Sequence, residues 1–542
     1  MKPLTPWLTI IGIGEDGLGG LPPPAHAALA QAQRVFGGAR HLAMLGDTPA
    51  QTTPWPSPIE AAFDEILRHR AVATVILATG DPFHFGIGSL IAARLAPGEY
   101  QVFPAPSAFA LAAARMGWGQ QHCQTLSLHG RPLAAIVPYL QPGARILALS
   151  WDGHTPEKLA ALLCARGLGD ARLTVCENMG GTREKISAFR ASEPPGSAFD
   201  PLNTIALEIP DAPAPFIPRN PGLPDEFFEH DGQITKRDVR AITLGALAPL
   251  AGQTLWDIGA GSGSVAIEWL LCDPTCRAFA IEAQAARSAR IARNAKHLGV
   301  PQLQIITAKA PDALSGLPTP DAIFIGGGGT APGLIETAMQ ALRPNGRLVI
   351  NAVTLETQAR LTQLMGAHGG QCLLIQISHA DPVGRFHGWR AAMPVMQWRW
   401  QKPAPKASTA PVIAIGIGCR GDCTAQAIVD LVRAAMHSLA PALAATPAAL
   451  YTIASKAGQP ALREAAASMG MDLHFLDTEA LAAAMPGVKT RSSRVQKLFG
   501  VAAIAEAAAL AGAGPGAQLC LERLAANGVT CAIATLQAGD KP

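Results

Sequence analysis

The stretch TLWDIGAGSGSVAIEWL, residues 254–270, joins a short apolar run to a cluster of glycines and then to an amphipathic run. That order is typical of a buried strand, a tight turn and the start of a helix, which together form a nucleotide-binding turn in α/β proteins. The glycines follow the pattern G-x-G-x-G, and Ser264 stands where a dinucleotide fingerprint has its third glycine. Because that glycine allows close strand–helix packing under a pyrophosphate, the altered spacing favours a ligand without phosphate.

Two acidic residues beside this turn are candidates for ligand binding. The next strand-like run, CRAFAIE, ends in Glu282, which is placed to accept hydrogen bonds from ribose hydroxyls. Asp257 precedes the glycines and is placed to reach a cationic amino group of the ligand. The glycine spacing, the strand–helix order and these acids together resemble the binding turn of Rossmann-like S-adenosylmethionine (SAM) methyltransferases.

Proline-rich stretches divide the chain, whose 542 residues are too many for one hydrophobic core. They lie at residues 209–226 and 401–411, where proline forbids a regular helix or a central strand. The predicted domains are therefore residues 1–210, 225–400 and 411–542. Each domain opens with an apolar run that leads into glycines, and short β-branched runs alternate with alanine-rich helical stretches. This pattern predicts α/β domains with buried parallel strands.

Composition and charge narrow the class of protein. The net charge is +3 with acids and bases interspersed, which argues against binding of nucleic acid or of an anionic membrane surface. We expect a cytoplasmic protein without membrane contact, because the N-terminus does not resemble a signal peptide and no run of ~20 apolar residues lacks a charge. The ten cysteines are scattered, and neither close pair has the second pair that a structural zinc site needs, so no metal site is predicted.

The motifs of residues 225–400 resemble the decarboxylating methyltransferase domain of corrin biosynthesis. In order they are DGQITKRDVRAITLGAL, the glycine turn, TAKAPDAL, PDAIFIGGGG, GRLVINAVTLE and DPVGRFHGWRAAMPVMQW. TAKAP departs from the glycine and acid that the family more often has before its alanine–proline pair, which bears only on Ala310. With Asp257 included, the SAM-binding residues expected in this domain are Thr235, Asp257, Gly259, Ala260, Gly261, Ser262, Gly263, Glu282 and Ala310.

The first domain resembles a different SAM-dependent family, the tetrapyrrole methylases, over residues 7–208. The motifs that carry the resemblance are IIGIGEDG, GDPFHFG, PSAFALAAARMG and SLHGR, in that order. The resemblance implies a SAM site in a cleft between two α/β halves, usually in a homodimer. His129 and Arg131 stand where a polycarboxylate substrate would be held. The implied SAM-binding positions are Gly80, Asp81, Gly86, Ile87, Ser107 and Ala108.

The two domains, fused in this order, resemble the two-part methyltransferases of the cobalamin pathway. The resemblance implies two SAM sites per chain, methylation of two meso carbons of a precorrin-6 type corrin, and loss of the ring C acetate carboxylate. Methyl transfer from a sulfonium is an in-line displacement that mainly needs positioning and exclusion of water, so no catalytic residue is predicted. Candidates in the second domain for binding substrate carboxylates are Lys236, Arg237, Arg240, Arg385 and His387.

The third domain, residues 411–542, resembles a small α/β domain of the same pathway. That domain is found alone in aerobic producers and at the end of the lactone-opening protein in anaerobic ones. The motifs are IAIGIGCRGDCTAQAIVDLV, YTIASKAGQPAL and SSRVQKLFGVAAIAEAAALAGAG. Its polar candidates are Lys456, Ser492, Ser493 and Glu506. Delivery of an intermediate, lactone hydrolysis and assembly all remain open as roles.

Two other classes of function compete with this interpretation. A NAD(P)-dependent oxidoreductase is disfavoured by Ser264 and by the lack of another G-x-G-x-x-G between a strand and a helix. A non-catalytic scaffold that binds and channels tetrapyrroles is disfavoured by the two separate SAM-type signatures. The expected partners are a corrin substrate, further copies of the chain and other enzymes of the pathway. The sequence leaves open whether the substrate carries cobalt and in which order the methyl groups are added.

Overall fold

The first sheet of the computed structural model has five strands, all of them parallel. Its strands are β1 Leu8–Ile13, β2 Arg34–Gly37, β3 Gln51–Pro54, β4 Thr74–Thr79 and β5 Tyr100–Phe103, in the order β3-β2-β4-β1-β5. The helices between them are α1 Pro23–Ala30, α2 Ala39–Ala43, α3 Ala61–Arg68 and α4 Gly88–Ala92. The central strand β1 is buried along its whole length, as a strand covered on both faces must be.

The second sheet corrects the expectation of parallel strands. Its strands are β6 Cys123–Ser127, β7 Arg145–Leu149, β8 Arg172–Glu177, β9 Lys185–Arg190 and β10 Asn203–Glu208, in the order β6-β7-β10-β8-β9. Helices α5 Ala108–Met116 and α6 Thr155–Ala165 accompany it. Only β6 and β7 pair in parallel, and the other three pairings are antiparallel. No helix lies between β8 and β9 or between β9 and β10. Successive strands joined by a short connection run antiparallel, because parallel neighbours need a long crossover that usually contains a helix.

The third sheet has seven strands and contains the glycine turn. Its parallel strands are β11 Thr254–Ile258, β12 Arg277–Glu282, β13 Gln304–Thr307, β14 Ala322–Ile325 and β15 Arg347–Ala352. Two strands named below, β16 and β19, complete it in antiparallel pairings, and the order is β13-β12-β11-β14-β15-β19-β16. The helices are α7 Arg237–Leu247, α8 Ser264–Cys272, α9 Ala285–His297, α10 Leu334–Ala341 and α11 Leu355–His368. This doubly wound arrangement places ligands at the carboxyl ends of the parallel strands.

The C-terminal part of the third sheet carries a separate hairpin. Strand β16 is Gln371–Ile375, the hairpin consists of β17 Ser378–Val383 and β18 Phe386–Ala391, and β19 is Val395–Gln401. Among the described strands, the two hairpin strands pair only with each other, and most of their residues are exposed. The hairpin therefore lies outside the core of the sheet.

The last sheet belongs to a separate compact unit. Its strands are β20 Ile413–Cys419, β21 Ala448–Ile453, β22 Leu473–Leu476, β23 Gln518–Ala526 and β24 Val529–Thr535, in the order β22-β21-β20-β24-β23. Its helices are α12 Ala425–His437, α13 Pro460–Met469, α14 Thr478–Ala483 and α15 Ile504–Ala513. β20 to β22 are parallel, while β24 and β23 are antiparallel, which makes this a mixed α/β sheet.

The chain falls into two compact units, Met1–Lys402 and Pro403–Pro542, of which residues 6–212, 214–404, 413–439, 448–493, 495–496 and 500–536 are described. Within the first unit, one buried core runs through the second and third sheets. At their junction Gly299 packs against Val137 and Pro138, and Arg166 Nη1 donates a hydrogen bond to the carbonyl oxygen of His297 at 3.0 Å. The second and third sheets lie on either side of the proline-rich stretch at residues 209–226, and they share one core. The division of this part of the chain into two domains therefore stays a prediction from the sequence.

Within the described ranges, no helix has the length and apolar character needed to cross a membrane. The same residues contain no cluster of histidine, cysteine and acidic side chains suited to a metal ion. The cytoplasmic location stays a prediction.

Candidate functional site

A cavity of about 1160 Å³ opens at the carboxyl ends of the parallel strands of the third sheet. Its wall includes the glycine turn after β11, Glu282 at the end of β12 and the segment before α7. A site for one small ligand usually occupies about 300–1,000 Å³. The cavity is thus large enough for a nucleoside-sized ligand together with part of a larger second molecule.

The glycine turn has a backbone that only glycine adopts without strain. Gly259, Gly261 and Gly263 have φ values of 70°, 60° and 76°, all in the left-handed region. A Cβ on Gly259 would lie 2.9 Å from the backbone nitrogen of Gly327, so the turn passes directly against the loop after β14. The three glycines are therefore required by the shape of the turn.

Glu282 is fixed against this turn. Its Oε2 accepts a hydrogen bond from the backbone nitrogen of Gly261 at 2.9 Å, and its Oε1 accepts one from Gln284 at 3.0 Å. Each carboxylate oxygen keeps a second acceptor position, because an ionised carboxylate has about four. The geometry is that of an acid oriented to bind a pair of hydroxyl groups at the cavity wall.

The cavity brings together most of the residues predicted for this site. Six of the nine predicted SAM-binding residues line it: Thr235, Gly259, Ala260, Gly261, Glu282 and Ala310. The other three do not line the cavity, and direct contact of these residues with SAM stays a prediction. Gly263 packs against α9, where its Cβ would lie 2.7 Å from Ile291, and Ser262 is buried with its carbonyl oxygen bonded to Asn294.

Asp257 has a structural position. Its Oδ2 accepts a hydrogen bond from the backbone nitrogen of Ala266 at 3.0 Å, near the start of α8. Burial raises the pKa of this carboxyl to about 7, because a buried charge is poorly solvated. The side chain supports the turn from its buried side and does not line the cavity, and its contact with a cationic amino group stays a prediction.

Arg240 is also corrected, from a substrate-binding candidate to a core residue. Its side chain is fully buried, and its Nε donates to Glu268 at 2.6 Å while its Nη1 donates to Asp225 at 3.0 Å. Nη1 and Nη2 each also donate to a backbone carbonyl oxygen, that of Thr235 and that of Leu223 respectively. Arg240 does not line the cavity, and the guanidinium instead ties α7 to α8 and to the segment before α7.

The other basic candidates divide by position. Lys236 and Arg237 line the cavity, and Lys236 Nζ lies 3.5 Å from Asp225. Arg385 lies at the tip of the exposed hairpin with its guanidinium over Phe386, and His387 follows on β18, so neither is brought into the cavity. Sequence reasoning missed several polar residues that line the cavity: Arg287, Lys309, Asn351 and His379.

In the N-terminal half, the four motif loops come together at the junction of the first and second sheets. The ring of His84 lies 4.5 Å from that of Phe109, and the guanidinium of Arg131 lies 5.6 Å from the ring of Phe85. His129 lies 6.5 Å from Trp151 by ring centroids. Loops from both sheets therefore face each other, and His129 and Arg131 lie on this shared face.

Ligand contacts in this region would come mainly from the backbone. Gly80 has a φ of 57°, and its Cβ would lie 2.9 Å from the carbonyl oxygen of Pro106. Asp81 Oδ1 accepts a hydrogen bond from Phe83 at 2.9 Å, and Ser107 caps α5 by accepting one from Ala110 at 3.1 Å. These side chains hold the loops in shape, while Gly86, Ile87 and Ala108 lie on the same two loops at the starts of α4 and α5.

The polar candidates of the C-terminal unit have mixed roles. Glu506 is buried, and its carboxylate accepts hydrogen bonds from the backbone of Lys489 and Thr490, each at 2.8 Å, so it anchors a loop. Lys456 lies in the turn after β21, at the carboxyl edge of the sheet. Ser492 and Ser493 lie in the segment before α15, and the Ser492 hydroxyl accepts a hydrogen bond from Val495 at 3.4 Å.

Three family models match the chain. They are tetrapyrrole (corrin/porphyrin) methylases over residues 7–195, the precorrin methyltransferase domain over residues 226–402, and the cobalamin synthesis G C-terminus over residues 413–534. The matches follow the order of the three predicted segments.

Curated relatives and a solved structure resemble the same parts. Precorrin-6Y C(5,15)-methyltransferase [decarboxylating] of Sinorhizobium sp is 49% identical over 401 residues, which cover 74% of this chain and 97% of the relative. Cobalt-precorrin-6B C(15)-methyltransferase (decarboxylating) of Salmonella typhimurium is 34% identical over 186 residues, which cover 33% of this chain and 96% of the relative. The C-terminal domain of precorrin-6Y C5,15-methyltransferase from Rhodobacter capsulatus is 48% identical and covers 34% of this chain and 100% of that structure, with a TM-score of 0.33.

Proposed function

The chain belongs to the family of precorrin-6Y C(5,15)-methyltransferases (decarboxylating), and from that premise we propose that each of its two methyl transfers has its own SAM site. It is a SAM-dependent enzyme of cobalamin biosynthesis that methylates a corrin substrate and removes a carboxylate from it. The oxidoreductase and scaffold alternatives are not retained. The observation that carries the proposal is the cavity around the glycine turn and Glu282, beside a separate convergence of motif loops in the N-terminal half.

The second domain, in this proposal, adds the methyl group at C15 and removes the carboxylate. A relative that covers only 33% of this chain carries both activities in its name. That length is close to the span of residues 226–402, which match the precorrin methyltransferase domain. The N-terminal domain then methylates C5.

The residues that line the middle cavity can support methyl transfer and decarboxylation by positioning the reactants. SAM supplies an activated methyl group when bound, and Glu282 with the glycine turn orients its ribose. Val353 and Met393 line the other side of the cavity and would cover one face of the macrocycle. Lys236 and Lys309 at the rim would pair with peripheral carboxylates. The chain thus contributes position, exclusion of water and charge pairing.

Calorimetric titration of the full chain with SAM tests the count of sites. We expect two SAM molecules per chain. An Asp81→Ala, Ser107→Ala double variant should weaken one site by up to about 30-fold, because it loosens two loops through lost turn and cap hydrogen bonds of about 1 kcal/mol each. The middle site should keep its affinity in that variant. A single SAM per native chain would contradict the two-site proposal.

We also propose that the chain forms a homo-oligomer through its hairpin. Val383, Phe386 and Trp389 on β17 and β18 are 62%, 65% and 80% exposed. Large apolar side chains grouped on an exposed ribbon usually mark a contact surface. A second copy supplies an identical ribbon, whose apolar residues and open strand edges can pair with this one.

Charge placed on the hairpin should separate the copies. We expect the Phe386→Glu, Trp389→Glu double variant to run as a monomer in light scattering at a concentration where the native chain is oligomeric. Leu250→Glu, at another exposed apolar residue, is the matched control and should leave the mass unchanged. If the native chain is already a monomer, or if the double variant keeps the native mass, the proposed interface is wrong.

A further inference from the structure

Hydrogen bonds with two buried side chains, Thr243 and Gln397, fix the orientation of Asn351 at the cavity wall. Asn351 is half-buried and lines the cavity, whereas Thr243 and Gln397 behind it are fully buried. Asn351 Nδ2 donates to Thr243 Oγ1 at 3.0 Å. Gln397 Nε2 donates to Asn351 Oδ1 at 2.9 Å and to Thr243 Oγ1 at 3.1 Å. These contacts join three segments that lie far apart in the sequence.

Arg399 and the carbonyl oxygen of Val239 determine which atom donates in each hydrogen bond of this network. Arg399 Nε can only donate, and it donates to Gln397 Oε1 at 2.7 Å, so the Gln397 amide nitrogen must face Asn351 and Thr243. The Thr243 hydroxyl donates to the carbonyl oxygen of Val239 at 2.8 Å and therefore only accepts from the two amides. Among the described residues, one N–H and one oxygen lone pair of Asn351 are left for the cavity.

The register of the sheet places Asn351 far from Glu282, where the ribose of SAM would bind. Ile258 of β11 is level with Ile281 of β12 and Ile325 of β14, and Ile325 is level with Ile350 of β15. Glu282 and Asn351 each follow one residue later, so they lie in the same row across the sheet, three strand spacings apart. At ~4.8 Å per spacing, this separation is roughly 14 Å. SAM bound at Glu282 and the glycine turn therefore leaves Asn351 on the side of the cavity where the corrin substrate would lie.

Decarboxylation needs a group that orients the departing carboxylate without strongly stabilising its negative charge, and a neutral hydrogen-bond donor is such a group. The bond between the acetate methylene and its carboxylate breaks, carbon dioxide leaves, and the bonding electron pair enters the protonated macrocycle. A proton from water then completes the new methyl group. The carboxylate loses its charge on the way to the transition state, so a strong cation at this group would stabilise the starting carboxylate more than the transition state. A rigid amide N–H orients the carboxylate with less of this penalty.

We propose that Asn351 is a catalytic residue that holds the departing ring C carboxylate by its free N–H. The proposal rests on the function proposed above for the middle cavity. Arg399, Gln397 and Thr243 act as positioning residues, because they set which way the amide of Asn351 faces and do not touch the substrate.

The test compares methyl transfer with carbon dioxide release in the full chain. In Asn351→Ala and Asn351→Asp we expect the ratio of carbon dioxide released to methyl groups transferred to fall about 10- to 100-fold, because the carboxylate is no longer held in the orientation that cleavage of its carbon–carbon bond needs. Mass spectrometry should find a methylated product that keeps its carboxylate. SAM affinity by calorimetry should equal that of the native chain, which shows that the variants are folded. Gln371→Ala, at an exposed polar residue of the same sheet, is the control and should keep the native ratio.

An unchanged ratio in both Asn351 variants would overturn the role of Asn351. The proposed function is tested separately by Ala392→Trp, which fills the cavity at an exposed lining residue. That variant should abolish carbon dioxide release together with one methyl transfer. If carbon dioxide release survives in Ala392→Trp, the site of decarboxylation is elsewhere and the function proposed for the cavity fails, whatever the Asn351 variants do.

Discussion

Valine in place of Gly261 should remove SAM binding from the middle cavity and leave the N-terminal site intact. Gly261 has a φ of 60°, and its Cβ would lie 3.1 Å from the carbonyl oxygen of Gln233, so a β-branched side chain is strained there. Its methyl groups would also displace the hydrogen bond that Gly261 donates to Glu282. We expect the affinity of this site to fall at least about 100-fold, from ~1–3 kcal/mol of backbone strain added to the lost ligand contacts.

Calorimetry and product analysis together measure this effect. The variant should bind one SAM per chain and yield substrate that carries a single new methyl group. Gly245→Ala is the matched control, because a Cβ at this helical glycine meets no atom within 4 Å. Loss of both SAM sites in Gly261→Val would contradict the independence of the two domains.

Alanine in place of Arg240 should give the largest loss of stability. The substitution leaves Glu268 with a buried charge and no cationic partner, and burial already raises the pKa of this carboxyl. Removing one member of a buried ion pair costs about 3–5 kcal/mol. We therefore expect the free energy of unfolding of the first unit to fall by this amount in urea titrations followed by tryptophan fluorescence.

An exposed ion pair provides the comparison for Arg240. Arg293 and Glu229 form such a pair, with both side chains 56% exposed. Arg293→Ala should cost less than about 1 kcal/mol, because water solvates both charges and screens the pair. Equal losses of stability in Arg240→Ala and Arg293→Ala would mean that the buried network around Arg240 does not stabilise the fold.

Local spacing in the sequence was enough to predict that the glycine turn and Glu282 lie close together. Their positions follow from the lengths of four consecutive elements: a strand, a turn, the short helix α8 and the next strand. The structure places both at the cavity wall. The same reasoning could not separate Gly261 from Gly263, because only the position of Ile291 on α9 shows that Gly263 serves helix packing.

The sequence could not predict the roles of residues whose contacts lie far away along the chain. Arg240 appears in the sequence as one more basic residue near a ligand site, and its pairing with Glu268 depends on how α7 packs on α8. Asn351 lies within the apolar run GRLVINAVTLE, and a polar side chain near the end of a buried strand is the signal that could have found it. The antiparallel strands of the second sheet were missed because apolar periodicity does not give strand direction.

The contact of Gly299 with Val137 and Pro138 bears on whether the two methyltransferase halves of this chain can be separated. The linker at residues 209–226 provides a natural point for a gene to be divided or joined, but the surfaces on either side of it are buried together in one core. Either half of this chain, prepared alone, would therefore expose apolar surface at the positions that meet here. Dividing the chain at this linker would remove a shared part of the core as well as a connection.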